Sequence, residues 1–263
     1  MGIRYVKKGP SYNGSRSEGK INPRKTAIIV GTLFIIATAA GIASGLFVPS
    51  LLDQDELANV WLLAAKDSQI RVGALLEFTM AVAVVAIPIW MYPILKKYNE
   101  SMALGYVVAR LVEGVMFTIG VISLLALLTL SRGFAMAGSP DASPFQTLGS
   151  LLLAVRSGES IFASFTFSLG SLMFYYLLYR SRLIPRWLSG WSLIGAVLFL
   201  ASAFWALFGH DMRSTTYLLL NAPGGLGEMV FAVWLIVKGF DASVIASETE
   251  ITGARGVKES QEE

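Results

Sequence analysis

The chain has 263 residues, 54% apolar and 15% charged, with a mean hydropathy of +0.61 and a net charge of +3. It holds no cysteine and a single histidine, His210, which excludes disulfide scaffolds, thiolate metal sites, thiol nucleophiles and sites needing several imidazoles. A soluble domain carries about 25% charged residues; here long apolar runs exceed the roughly 18 residues that mark a membrane span. The sequence therefore reads as an all-α, polytopic membrane protein with six transmembrane helices in one bundle.

Residues 1–25 carry seven basic residues against Glu18, among Gly, Ser, Asn and Pro, and read as a disordered basic tail. The transmembrane domain covers 26–239, with spans at about 26–48, 69–95, 102–130, 157–180, 187–208 and 217–238. Ala37-Thr38-Ala39 resembles a signal-peptidase motif, but the first run continues through Val48, so an uncleaved span is favoured. The acidic loop after it contains DELANVWLLAAKD, which reads as a short amphipathic helix lying at the surface. Pro88 and Pro93 fall near the end of the second span, and SRGFAMAGSPDASPF after the third reads as a loop. Residues 240–263 form an acidic tail, expected to be disordered.

Six spans fit one orientation. Fifteen of the 21 Lys and Arg residues fall in the two tails and in the loops after spans two and four. By the positive-inside rule both termini are cytoplasmic and the protein lies in the cell membrane. This placement also explains the sequence pI near 9.1 without invoking nucleic acid. Gly41 and Gly45 form a GxxxG step, and Ser160, Ser164 and Ser168 recur every four residues; such small residues permit close helix approach in lipid. That pattern serves either the bundle itself or a homo-oligomer.

The informative residues are the charges within the spans, because an ionised side chain at the bilayer centre costs at least about 2.5–3.5 kcal/mol and must be paired or wetted. Arg110 and Glu113 share one face of span three, Glu113 near the midplane by residue count. Glu228 in span six reaches a similar depth, and EGVMF and EMVF around these two glutamates suggest a weak three-plus-three repeat. Glu77, Arg156 and Glu159 fall nearer the outer face. Arg110–Glu113 and Arg156–Glu159 are both spaced to neutralise themselves within their own helices. Asn221 opens Asn221-Ala222-Pro223-Gly224-Gly225-Leu226-Gly227. Pro223, Gly224, Gly225 and Gly227 are expected to weaken or break the helix beside Glu228, as at transporter substrate sites.

His210 and Asp211 read as a solvated loop, since no G-x-S-x-G accompanies them. No H-E-x-x-H, P-loop or G-x-G-x-x-G is present, so no metal and no cofactor is expected. Three readings stay open. The favoured one is binding or carriage of a small or amphipathic ligand, lipid included, in a polar intramembrane pocket. The second is a structural or accessory subunit whose ion pairs lock the bundle and whose charged tails meet a cytoplasmic partner or lipid. The third is a membrane enzyme using a midplane glutamate as acid–base.

Three segments, NPRKTAIIVGTLFIIATAAGIASGLF, SLGSLMFYYLLYRSRLIPRWLSGWSLIGAVLFL and GGLGEMVFAVWLIVKGF, resemble a prokaryotic six-pass family catalogued as domain of unknown function 4386. The resemblance spans roughly residues 21–240. It implies six uncleaved spans and a role for Glu228 within the fold, but no activity, substrate or catalytic residue.

Overall fold

The structure is a computed structural model that describes residues 22–48, 62–136 and 143–244. Six long helices make up most of it: α1 Pro23–Phe47, α2 Asp67–Leu95, α3 Glu100–Met136, α4 Ser143–Ser181, α5 Arg186–Leu207 and α6 Thr215–Val237. All six are long and apolar enough to cross a membrane. The chain is a six-helix, multi-pass membrane protein. The two tails, the acidic loop and most of the expected surface helix lie outside the described residues. What remains of that segment is a 3₁₀ turn, Leu63–Lys66, leading straight into α2. There Leu63 is fully buried, and Ser131 Oγ accepts a hydrogen bond from Ala64 N.

Helix ends follow local chemistry. Asn22 caps α1 by accepting from Lys25 N, and Pro23 occupies the first turn, where its missing N–H is no loss. Helix α1 thus begins three residues earlier than the apolar run suggests. Helices α3 and α4 are 37 and 39 residues long, roughly 55 Å at about 1.5 Å per residue, well beyond the roughly 30 Å of hydrocarbon. Both ends of the expected loop SRGFAMAGSPDASPF are helical, 131–136 in α3 and 143–145 in α4, and residues 137–142 lie outside the described residues. Phe134 and Phe145 meet edge to face at 5.6 Å, tying the end of α3 to the start of α4. Thr147 and Ser150 return their hydroxyl protons to carbonyls four residues back, so a polar composition there does not prevent a helix.

Each helix packs on its chain neighbours, and α1 also packs on α6, so the six helices close into a ring. Arg24 fastens the closure by donating to the carbonyls of Leu235, Ile236 and Val237 at 3.2, 2.6 and 3.4 Å. These carbonyls end α6 and have no intrahelical partner. The start of α1 and the end of α6 consequently share one end of the bundle, called here the terminal end. Its interior is solid: Phe34, Tyr106, Phe174, Tyr175 and Phe231 stack or meet edge to face among buried Ile87, Met91, Leu178 and Leu235. A smaller core of Ile70, Leu124, Leu127 and Leu153 fills the far end. Outward, large apolar side chains stand free, Leu46 78% and Leu219 67% exposed, as a surface bathed in lipid requires.

The sixth helix is unbroken, contrary to expectation. Pro223 and the three glycines lie inside a continuous α6. At Gly224 the small volume serves packing: a Cβ on Gly195 of α5 would stand 2.6 Å from Gly224 Cα. The two backbones touch there, which is the close approach that small residues allow in membranes.

Candidate functional site

Between the two packed ends lies a cavity of about 300 Å³. Every helix contributes to its wall: Phe34 from α1, Met80 from α2, Arg110 from α3, Ser164 from α4, Phe199 from α5 and Glu228 from α6. Glu113, Phe117, Ser160 and Phe167 complete the polar and aromatic lining. Glu113 and Glu228, matched in sequence by their flanking strings, thus face the same space.

Arg110 and Glu113 are 3% and 2% exposed. Arg110 Nη1 lies 3.0 Å from Glu113 Oε2, a contact at ion-pair distance but not aligned as a hydrogen bond. Glu113 Oε2 and Arg110 Nε are buried and have no hydrogen-bond partner. The guanidinium stands 5.3 Å from the Phe167 ring centre, within cation–π range. Half-buried Glu228 has no hydrogen bond or ion pair with any described residue, although Arg110 is near enough to act on its charge. Buried polar groups are normally satisfied; this cluster leaves several open.

A second cavity of about 230 Å³ adjoins the first, sharing Met80, Phe117 and Ser160, and is lined by Glu77, Arg156 and Glu159. Two of its three charges, Glu77 and Arg156, are tightly paired. Arg156 Nη2 lies 2.5 Å from Glu77 Oε1, and Arg156 Nη1 donates to Glu77 Oε2 at 3.2 Å and to Gly120 O at 2.8 Å. Ser44 Oγ donates to the same carboxylate at 3.2 Å. The expected pairing of Arg156 with Glu159 is not made. Arg156 crosses from α4 to α2 and meets both oxygens of Glu77, the fork geometry a guanidinium matches best. Glu159 instead seats against Gly120, where a side chain on α3 would exclude it, with only the Ser160 hydroxyl at 3.4 Å.

Other expected residues lie elsewhere. Asn221 returns a hydrogen bond to Tyr217 O and accepts one from Ser202, joining α5 to α6 outside the central cavity. Pro223, Gly224, Gly225 and Gly227 are not among its lining residues either. Gly41 packs against the sulfur of Met80, whereas Gly45 has open space where a side chain would stand, so the GxxxG step is not a continuous seam within this bundle. His210 stacks on Trp205 with ring centres 4.0 Å apart, exposed in the loop after α5. Among the described residues no group of three or more His, Cys, Asp or Glu could hold a metal ion. Sequence reasoning missed the aromatic wall of Phe34, Phe117, Phe167 and Phe199, because an apolar ring in a span signals nothing about which way it points. The serine repeat was the available clue to the α4 side of the wall.

A family model, Domain of unknown function (DUF4386), matches residues 29–239, from early α1 through the last turn of α6. The chain belongs to this family. The match takes in every residue lining the two cavities, so both sites lie inside the shared DUF4386 domain. No curated protein and no solved structure matches the chain.

The DUF4386 domain has a third hollow at its terminal end, about 430 Å³, lined by Arg182, Arg186, Trp234, Lys238 and Asp241 among others. Hydrogen bonds from the Ser243 hydroxyl and amide hold the Asp241 carboxyl below its usual range.

Proposed function

We propose that this DUF4386 protein binds a small amphipathic molecule in the central cavity, as a carrier or a sensor. One observation carries the reading: Arg110, Glu113 and Glu228 converge from α3 and α6 with hydrogen-bonding capacity unspent, inside an aromatic-walled cavity bounded by all six helices. A volume near 300 Å³ is at the small end of ligand pockets, about 300–1,000 Å³, and intramembrane ionisable groups mark functional sites by default. A purely structural cluster would be expected to close its own hydrogen bonds, as Glu77 and Arg156 do. That outer pair favours the locking role, and the two roles coexist in one bundle.

The terminal end faces the cytoplasm of the cell in this reading. Its support is the basic bias of the tails and of the connections after α2 and α4. Arg182, Arg186 and Lys238 around the terminal-end hollow would then sit at the level of anionic lipid head groups.

Native mass spectrometry of protein released from lipid tests the central assignment, comparing wild type with Glu113→Gln and Glu228→Gln. A small molecule carried by wild type and lost from either variant is the expected result. Bare protein in all three, with the variants merely less stable, would reject binding in favour of the locking role.

A further inference from the structure

The lining of the central cavity narrows the ligand to one chemical class. We propose that it accepts an organic monocation, a protonated amine or quaternary ammonium bearing a compact apolar body. The proposal rests on the ligand-binding reading above and adds the sign of the charge.

Three charged side chains line the cavity, Arg110, Glu113 and Glu228. Arg110 lies against Glu113 at 3.0 Å, so the two offset each other and the carboxylate of Glu228 is left over. Among the described residues nothing donates to it. A half-buried carboxylate with no hydrogen-bond donor is costly, and a bound cation is the ligand that removes the cost.

The neutral groups point the same way. Ser164 donates its hydroxyl proton to Ser160 O at 2.8 Å, and Ser160 donates back along the helix to Arg156 O at 3.3 Å. Each hydroxyl has one proton to give, so both serines offer the cavity only lone pairs. Four phenylalanines line the cavity, Phe34, Phe117, Phe167 and Phe199, and an aromatic ring attracts a cation to its face. Arg110 already lies 5.3 Å from the Phe167 ring centre, within cation–π range. Arg110, which makes no hydrogen bond to a described residue, and the Thr38 hydroxyl are the cavity's donors, so the preference comes from charge: one arginine faces two glutamates. An anion would meet Glu228 and the ring faces together.

The test uses full-length protein in nanodiscs of zwitterionic lipid and three probes of similar size: benzyltrimethylammonium, neutral N-benzylacetamide and anionic benzylsulfonate. Saturable binding is read by calorimetry and by the shift in unfolding midpoint. The cation is expected to bind wild type and Glu228→Asp, which keeps the charge, and to bind Glu228→Gln about tenfold or more weakly. Phe117→Leu, which removes the aromatic ring and keeps an apolar side chain, is expected to bind it a few-fold more weakly. It also stands in if Glu228→Gln does not fold.

Equal or tighter binding of the neutral or anionic probe overturns the cation assignment and leaves ligand binding in place. Cation binding indifferent to both Glu228→Gln and Phe117→Leu overturns its assignment to this cavity. No cation binding at all also overturns it. Native mass spectrometry then decides separately whether any ligand is carried.

Discussion

Two strings of the form Arg-x-x-Glu lie in neighbouring helices, Arg110…Glu113 in α3 and Arg156…Glu159 in α4, and they meet opposite fates. In α3 the pair forms within its helix at 3.0 Å, poorly aligned, and leaves buried atoms unsatisfied. In α4 the arginine leaves its own glutamate and joins Glu77 on α2, with Gly120 and Ser44 completing the arrangement. Spacing along a helix brings two side chains within reach, but the best tertiary acceptor decides the pairing. The satisfied cluster touches α1, α2, α3 and α4 and braces them. The unsatisfied one surrounds empty space.

The contrast predicts unequal responses to substitution. Arg156→Met strands Glu77 in a part-buried setting and should lower stability by about 3 kcal/mol, since breaking a buried pair costs about 3–5 kcal/mol and this one retains some exposure. Thermal unfolding in detergent, followed by circular dichroism, measures it. The double variant Glu77→Leu/Arg156→Met should recover most of the loss; if it is as unstable as the single variant, the pair is not what braces the helices.

Next in size is the wall between α5 and α6. Gly195→Val places a side chain where Gly224 Cα already stands, and overpacking of this kind costs about 1–3 kcal/mol. A matching substitution at Gly45, which faces open space, should leave the unfolding midpoint of the same assay in place. Equal losses at both positions would show that contact with α6 is not what limits Gly195, because valine has the higher helix propensity at either site.

Glu228→Gln should change stability by no more than about 1 kcal/mol in either direction, because the carboxylate is unpaired in the folded protein and no partner is stranded. It should nonetheless abolish whatever the central cavity carries. A loss as large as that of Arg156→Met would place Glu228 with the bracing residues and remove its distinction from Glu77.

The sequence made the architecture plain because lipid imposes it: spanning segments must be long, apolar and helical, and each apolar run became one of the six helices. The convergence of Arg110, Glu113 and Glu228 was also legible, since charges in hydrocarbon are conspicuous. Three features were not. The continuity of α6 depends on Gly195 lying opposite Gly224 on another helix, which propensity cannot register. The choice of Glu77 over Glu159 by Arg156 depends on how α2 and α4 are placed across the bundle. The lengths of α3 and α4 depend on contacts such as Phe134 with Phe145, beyond the apolar stretches that reveal the spans.

The smallest expected effect isolates the role of burial. Arg71 and Asp67 form an ion pair at 3.1 Å four residues apart on α2, with side chains 54% and 30% exposed. Its chemistry is that of Arg156 with Glu77, but water screens it, and exposed helical pairs are worth about 0.3–0.5 kcal/mol. Asp67 also keeps Arg132 Nη2 at 2.5 Å when Arg71 is removed, so Arg71→Ala strands no charge. Its unfolding midpoint should match wild type within about 0.5 kcal/mol of stability and shift little with added salt, whereas the deficit of Arg156→Met should persist at high salt because its setting is poorly screened. If Arg71→Ala were as damaging as Arg156→Met, the difference between the bundle's charge clusters would lie in something other than their access to water.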